Sequence, residues 1–226
     1  MTTGMNRGVI FDIDGTLVDS NYLHTLAWYR AFLGAGEDVP SYRIHRAIGM
    51  GSQQLIKEMI GREDEQLSER HSEEYKKIRE EARAFDGSRE LLQEVARRGG
   101  RVVLATSAKP DELKVLLRKL DAGDAVHAVI SSKDVEAAKP EPDVFAKALE
   151  TAELDPEYSV AVGDSVWDVA AAGRCHIRCI GLLTGGTAGC ELERAGAAQV
   201  FTTPAELLQR LDASLAGRVL AGGGVA

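Results

Sequence analysis

A doubly wound α/β fold, with a parallel sheet and an inserted all-helical cap, is the architecture this sequence predicts. Three observations predict it. Short apolar runs rich in Val and Ile recur along the chain, stretches of helical apolar spacing separate the later ones, and one long interval after the first run is helical throughout. Near-continuous apolar strands alternating with helices mark a parallel sheet covered on both faces.

The first run is Val9 to Phe11, and others fall at Val102 to Ala105, Ala128 to Ile130, Val160 to Val162, Ile177 to Leu183 and Gln199 to Phe201. Their length and β-branched content read as strands. Between them Leu113, Leu116, Leu117 and Leu120, then Val144, Phe145, Ala148 and Leu149, recur at three- and four-residue spacing, so these stretches read as covering helices. Residues 19–85 hold no convincing strand, but amphipathic stretches at Leu23 to Leu33, Gln53 to Ile60 and Glu63 to Arg83. A crossover needs only about a dozen residues and a helix, so the excess predicts a separate cap. The expected division is an α/β core of residues 1–18 and 86–213 and a helical cap of residues 19–85, with linkers near Leu17 to Ser20 and Ala84 to Gly87. Residues 214–226, with Gly222-Gly223-Gly224, are expected to form a flexible tail.

Composition narrows the function. The 226 residues suit one large domain or a domain with an insertion, and 44% apolar with 27% charged residues excludes fibrous, coiled-coil and disordered classes. The balance of 27 basic and 35 acidic residues gives −8 without a Lys/Arg cluster, which argues against a nucleic-acid partner. No apolar run reaches the ~18 residues of a membrane span, and Asp12 and Asp14 interrupt the N-terminal run before a signal-peptide core forms. No membrane association and a cytoplasmic address are expected. Cys175, Cys179 and Cys190 are an odd count in a chain too large to depend on disulfides. Cys175-His176-x-x-Cys179 reads as buried thiols rather than zinc ligands, because a structural zinc site wants four ligands.

The chemistry sits where the strands end. Asp12-Ile13-Asp14-Gly15-Thr16 follows the first strand, and residues i and i+2 of an extended segment point to one side, so the two carboxylates converge. Two such charges repel unless a cation or shared proton separates them, which suits magnesium, a hard cation with oxygen ligands. Thr106 and Ser107 follow the second strand and lead through Lys109-Pro110 into a helix whose free amides would hold phosphate oxygens. Lys139, between Ser131 and a Pro-rich turn, is a positioned cation. Asp164 follows the strand Val160 to Val162 and can reach the same cation, with Asp168 one helical turn on.

In order and in place, these four segments resemble the motifs of the haloacid dehalogenase-like (HAD) hydrolase superfamily, and the run Phe11 to Ser20 resembles its helical-cap phosphatase branch. The resemblance implies a Mg²⁺-dependent phosphatase of a small phosphorylated metabolite, acting through an aspartyl phosphate. By matched position it implies Asp12 as nucleophile, Asp14 as general acid/base and, through its main chain, a metal ligand. It further implies Thr106 as phosphate ligand, with Ser107 beside it, Lys139 as charge-neutralising lysine, Asp164 as metal ligand and Asp168 as outer or second metal ligand. In the cap, His24 and Trp28 lie four apart on one helical face, where packing is the simpler reading and substrate contact the sharper one. Gly51 and Ser52, within Ile48 to Ser52, resemble a substrate-specificity loop, and Ser52 equally suits an N-cap. Gly185-Gly186-Thr187 is given no role. Asp14 argues against dehalogenases and phosphonate hydrolases, which lack that acid. A mutase of the β-phosphoglucomutase type is the alternative, and a binding module without catalysis is disfavoured by the complete acid and lysine set.

Overall fold

A computed structural model of the chain describes residues 6–135 and 137–225. The chain opens on β1 (Gly8–Phe11), every residue of which is buried, and a two-residue strand β2 (Val18–Asp19). Four helices follow: α1 (Asn21–Gly34), α2 (Ser41–Ala47), α3 (Ser52–Ile60) and α4 (Glu65–Ile78). The chain returns through β3 (Arg83–Ala84) to α5 (Ser88–Arg97), β4 (Arg101–Ala105), α6 (Pro110–Leu120), β5 (Val126–Ile130) and α7 (Asp143–Thr151). It ends with β6 (Ser159–Gly163), α8 (Val166–Arg174), β7 (Arg178–Leu182), α9 (Gly189–Ala195), β8 (Gln199–Phe201), α10 (Pro204–Gln209) and α11 (Leu215–Leu220).

The strands β5-β4-β1-β6-β7-β8 form one six-stranded sheet in that order, each pairing parallel. Alternation within each strand explains why both faces are covered. Val9 and Phe11, Val102 and Leu104, and Val160 and Val162 face one core layer with Leu91, Leu92, Leu116 and Leu207. Ile10, Val103 and Ala161 face the other, with Phe145, Ala148, Val169 and Leu192. The helices after β1 enclose a core of their own, built on Trp28, Phe32, Ile44, Leu55, Ile56 and Leu67.

Three expectations are corrected. Residues 19–85 are not free of strand: β2 and β3, which fall at or beside the expected linkers, pair antiparallel, Val18 with Ala84 and Asp19 with Arg83, so exit and return are tied side by side. A further helix, α2, lies where no helical stretch was expected; it is short and mostly polar, which hides its period. Residues 214–225 are not a frayed tail, because α11 buries Ala216, Val219 and Leu220 against the first core layer and packs on β1 and β6. Ser214 caps it, accepting from the Gly217 amide at 3.1 Å.

Candidate active site

The order β4-β1-β6 at the centre of the sheet brings three strand ends together, the place where open α/β sheets hold ligands. Asp12 follows β1, Thr106 follows β4 and Asp164 follows β6. Ile13 turns away into the core, fully buried, so Asp12 and Asp14 are free to face the cleft. Gly15 has φ +77°, and a Cβ there would overlap the side chains of Asn21 and Asp164, so only glycine lets the chain turn this close to the acids.

Asp12, Asp164 and Asp168 are all buried and offer carboxylate oxygens within 4.8 Å of one another. Lys139, itself 1% exposed, reaches in from the loop before α7, with its Nζ bonded to Asp12 and 2.7 Å from Asp168 Oδ1. Thr16 Oγ donates to Asp164 at 2.7 Å and lies 3.1 Å from Asp12 Oδ2, and Asn21 Nδ2 donates to the other Asp164 oxygen at 2.9 Å. Ser165 N and Oγ donate to Asp168 Oδ2. Burial pushes the Asp12 carboxyl up to about 7 against the pull of Lys139, with Asp168 and Asp14 adding to the rise. Burial and the neighbouring charges of Asp168 and Asp12 hold the Asp164 carboxyl well above its ordinary value. Burial works to lower Lys139, yet Asp12 and Asp168 keep it protonated with a raised pKa. Three buried carboxylates against one ammonium leave an excess of negative charge, and all the donors are oxygens, so the cluster fits a hard divalent cation.

Asp14 faces differently. Its side chain stands outside the three-acid group, bonded to Ser20 Oγ at 2.6 Å, Thr106 Oγ at 3.3 Å and His24 Nε2 at 3.4 Å. Burial acts to raise this carboxyl, but the hydrogen bond and charge of His24 outweigh it and hold the group below its ordinary value. His24 is raised in turn against the opposing effect of burial. Its Nδ1 lies 3.2 Å from Nε2 of His71, whose pKa burial, His24 and Lys109 drive well down. This direction favours the neutral form of His71, whose Nε2 is placed to accept when His24 carries its proton on Nδ1. Rings stack around the pair: His24 on Tyr75 at 3.8 Å and His71 on Trp28 at 4.1 Å. His24 and Trp28 therefore pack, as the simpler reading had it, and His24 also holds an acid of the site.

One cleft takes in Asp12, Asp14, His24, Thr106, Ser107, Lys139, Asp164 and Asp168, together with Met50 and Ser52 from the helical segment. Gly51 does not line it. It packs against the loop before Lys139, where an added Cβ would sit 2.6 Å from that of Ala138. Ser52 is the first residue of α3 and Gly51 its N-cap, so Ser52 is not the capping residue. Gly185, given no role from the sequence, packs flush: its carbonyl accepts from His45 at 3.0 Å, and a Cβ would overlap Asp164. Cys175 follows α8 and is half-buried rather than the buried thiol expected, while Cys179 is buried in β7.

The family model for haloacid dehalogenase-like hydrolases matches residues 7–176. The chain belongs to that family. Two curated relatives carry names from phosphate chemistry. It is 31% identical over 170 residues to pyrophosphatase PpaX of Bacillus cereus, covering 71% of this chain and 76% of that one. It is 27% identical over 190 residues to phosphoglycolate phosphatase of Pseudomonas putida, covering 79% and 70%. The structure of a hydrolase from Pseudomonas syringae superposes with a TM-score of 0.87 at 35% identity, over 92% of this chain and 99% of that one. The chain is thus a HAD-like hydrolase, similar to proteins named for the hydrolysis of phosphate compounds.

Thr16, Asn21 and His71 escaped the sequence reading. Thr16 lay within the quoted motif and its hydroxyl was a usable signal; Asn21 and His71 touch the site only through long-range packing.

Proposed function

We propose that the chain is a divalent-cation-dependent phosphatase, with Mg²⁺ the expected ion, that hydrolyses a small phosphorylated metabolite through an aspartyl phosphate on Asp12. The observation that carries this reading is the division of labour between two acids two residues apart: Asp12 in the three-carboxylate group with Lys139, Asp14 outside it on His24. Asp12, Asp164 and Asp168 would hold the cation, to which Asp14 would add its main-chain carbonyl. The bound cation would supply charge neutralisation, letting a dianionic ester approach a carboxylate. Lys139 adds a second positive charge and keeps Asp12 aimed. Asp12 attacks phosphorus, which splits one difficult displacement into two. Asp14, which takes up a proton from the adjacent His24 Nε2 as the substrate binds, protonates the departing oxygen and then takes a proton from the attacking water. Thr106 and Ser107, beside α6, hold phosphate oxygens, and Met50, Ser52 and the ring of His24 bound the part of the cleft that meets the leaving group.

Asp12→Asn tests this. The amide cannot attack phosphorus, so turnover of a phosphate-monoester panel should fall to background, and acid-quenched protein should no longer carry label from ³²P-substrate. Full turnover in excess chelator, or an active Asp12→Asn protein, rejects the reading. A phosphosugar mutase would use the same two acids. Conversion of β-glucose 1-phosphate, dependent on a bisphosphate activator and faster than hydrolysis, would select it instead.

A further inference from the structure

Asp164 is gripped by two parts of the molecule. Thr16, between β1 and β2, takes one carboxylate oxygen from the side of the sheet, whereas Asn21 and His45 come from α1 and α2 of the helical segment. Asn21 is 5% exposed and opens α1; its Nδ2 donates to Asp164 Oδ2 at 2.9 Å and lies 3.4 Å from the Gly185 carbonyl. Because a carbonyl only accepts, the amide nitrogen is the atom that faces it. His45 Nε2 stands 3.0 Å from the same carbonyl and, for the same reason, carries its proton there. Its ring stacks at 4.7 Å on Tyr22, the neighbour of Asn21, so the two donors are parts of one packed unit. The meeting point is tight: a Cβ on Gly185 would sit 1.7 Å from Asp164 Oδ2, and one on Gly186 would sit 2.9 Å from both His45 and Tyr22. The backbone after β7 thus lies wedged between α2 and the carboxylate.

We propose that Asn21 is a positioning residue that aims Asp164 at the divalent cation, and that His45, through Gly185, makes this aim depend on α1 and α2 being docked on the core. Cation binding and docking of the helical segment are then coupled. The inference rests on the reading of Asp164 as a ligand of that cation. Groups that hydrogen-bond a ligating carboxylate fix its orientation and tune its hold on the ion. Thr16 and Asn21 take one oxygen of Asp164 each, which fixes the plane of the carboxylate and leaves each oxygen a further lone pair. Asn21 Oδ1 is buried without a partner among the described residues. Asn21 lines the cleft with Asp12 and Asp164, and Mg²⁺ keeps several of its waters, one of which would supply the missing donor. Withdrawing α1 and α2 from the core removes one donor from Asp164 and frees the Gly185 backbone that abuts it. Repulsion from Asp12 and Asp168 would then turn the carboxylate away. Coupling is reciprocal, so an ion that needs the docked arrangement also stabilises it. Arg46 pairs with Glu191 at 2.6 Å across the same seam, but this pair is exposed and adds little.

The test uses the full chain and Mn²⁺, an ion that takes oxygen ligands octahedrally as Mg²⁺ does, with its unbound fraction counted by electron paramagnetic resonance. Asn21→Ala should weaken binding about 10–100-fold, the range for losing a group that orients a metal ligand. His45→Phe keeps a ring on Tyr22 and loses only the N–H; it should weaken binding about 5-fold, the lower end of couplings between sites. In the parent, saturating Mn²⁺ should slow hydrogen exchange of the α2 amides, and His45→Phe should lose most of that protection. Residues that merely prop the fold would instead lower the melting temperature in chelator and leave Mn²⁺ affinity at the parental value. Parental affinity in either folded variant overturns the proposal and leaves the cation site standing; should Asn21→Ala not fold, His45→Phe decides. Exchange in α2 that ignores the ion also overturns it. A parent chain that binds no Mn²⁺ at millimolar concentration overturns it together with the reading of Asp164 beneath it.

Discussion

Asp12 and Asp14 are two residues apart, yet their surroundings drive their carboxyl groups in opposite directions: burial among like charges raises one, and the hydrogen bond and charge of His24 lower the other. In the cation-free chain these directions run opposite to the two roles, an ionised nucleophile and a protonated acid; a cation held beside Asp12 would favour its ionised form. Asp14→Asn should stay folded and lose about 10²–10⁴-fold in turnover of alkyl phosphates. Activated aryl phosphates should lose much less, since their leaving group needs little protonation. Comparing kcat/KM across a series of leaving-group pKa values checks this, and an equal loss for both classes would remove Asp14 from the acid role. His71 supports a separate prediction. Its folded pKa lies well below 6.5, so on acidification the unfolded chain takes up a proton that the folded chain refuses. That contribution to stability is intact above pH 6.5 and lost as pH falls below it. His71→Phe, which keeps a ring on Trp28, should lose less melting temperature than the parent between pH 7.5 and 5; parallel melting curves would show His71 titrating freely. These residues also mark how far single positions can be read from sequence. Asp12, Asp14, Thr106, Lys139 and Asp164 were legible because each ends a strand or starts a turn. The His24–His71 contact spans 47 residues and leaves no local pattern.

At the scale of elements, the strands were legible because a sheet covered on both faces demands continuous apolar runs, and β1, β4 and β6 supply them. The elements that escaped are short. The β2–β3 pair has two residues a side, and α11 lies beside a glycine run that reads as flexible even though Ala216, Val219 and Leu220 carry the helical period. Gly51 shows what element packing does to a functional expectation. Read as a specificity loop, a larger residue there should reorder substrates and leave the chemistry alone. In the folded chain α3 begins against Ala138, the residue before Lys139, so a side chain at this position must displace the loop that aims the lysine. Gly51→Ala should therefore lower kcat about 10-fold or more for every substrate, acetyl phosphate included, because a shift of about 1 Å in a positioned group can cost 10²-fold. Met50→Ala, which alters the cleft wall itself, should change KM and do so unequally between substrates. An unchanged kcat in Gly51→Ala would mean that the helix end yields and Lys139 stays in place.

For the molecule as a whole, the site stores destabilisation that a cation can release. Asp12, Asp164 and Asp168 face one Lys139 in a buried space, and both Asp12 and Asp164 have raised pKa values. An acid raised on folding binds protons more tightly in the native state. Its stabilising contribution is thus full below the unfolded value near 3.8 and is lost as pH rises through the folded one. At pH 7.5 the cation-free chain consequently bears the cost of confined like charges. A ligand that binds only the native state stabilises it by about 2.7 kcal/mol at a hundred times its Kd. For a chain of this length that corresponds to a rise of about 5–10 °C in Tm. Mg²⁺ should produce such a rise at pH 7.5 and a smaller one at pH 5, where protons compete for the same oxygens. Asp164→Asn separates the two contributions. With one like charge removed and an amide still able to pair with Thr16 and Asn21, it should melt higher than the parent in chelator and gain little from Mg²⁺. Differential scanning calorimetry of both proteins, with and without the ion, reads all four states. A parent chain whose Tm ignores Mg²⁺ while Asp164→Asn melts no higher would mean that the three carboxylates are neutralised within the protein, and that no cation site exists among them.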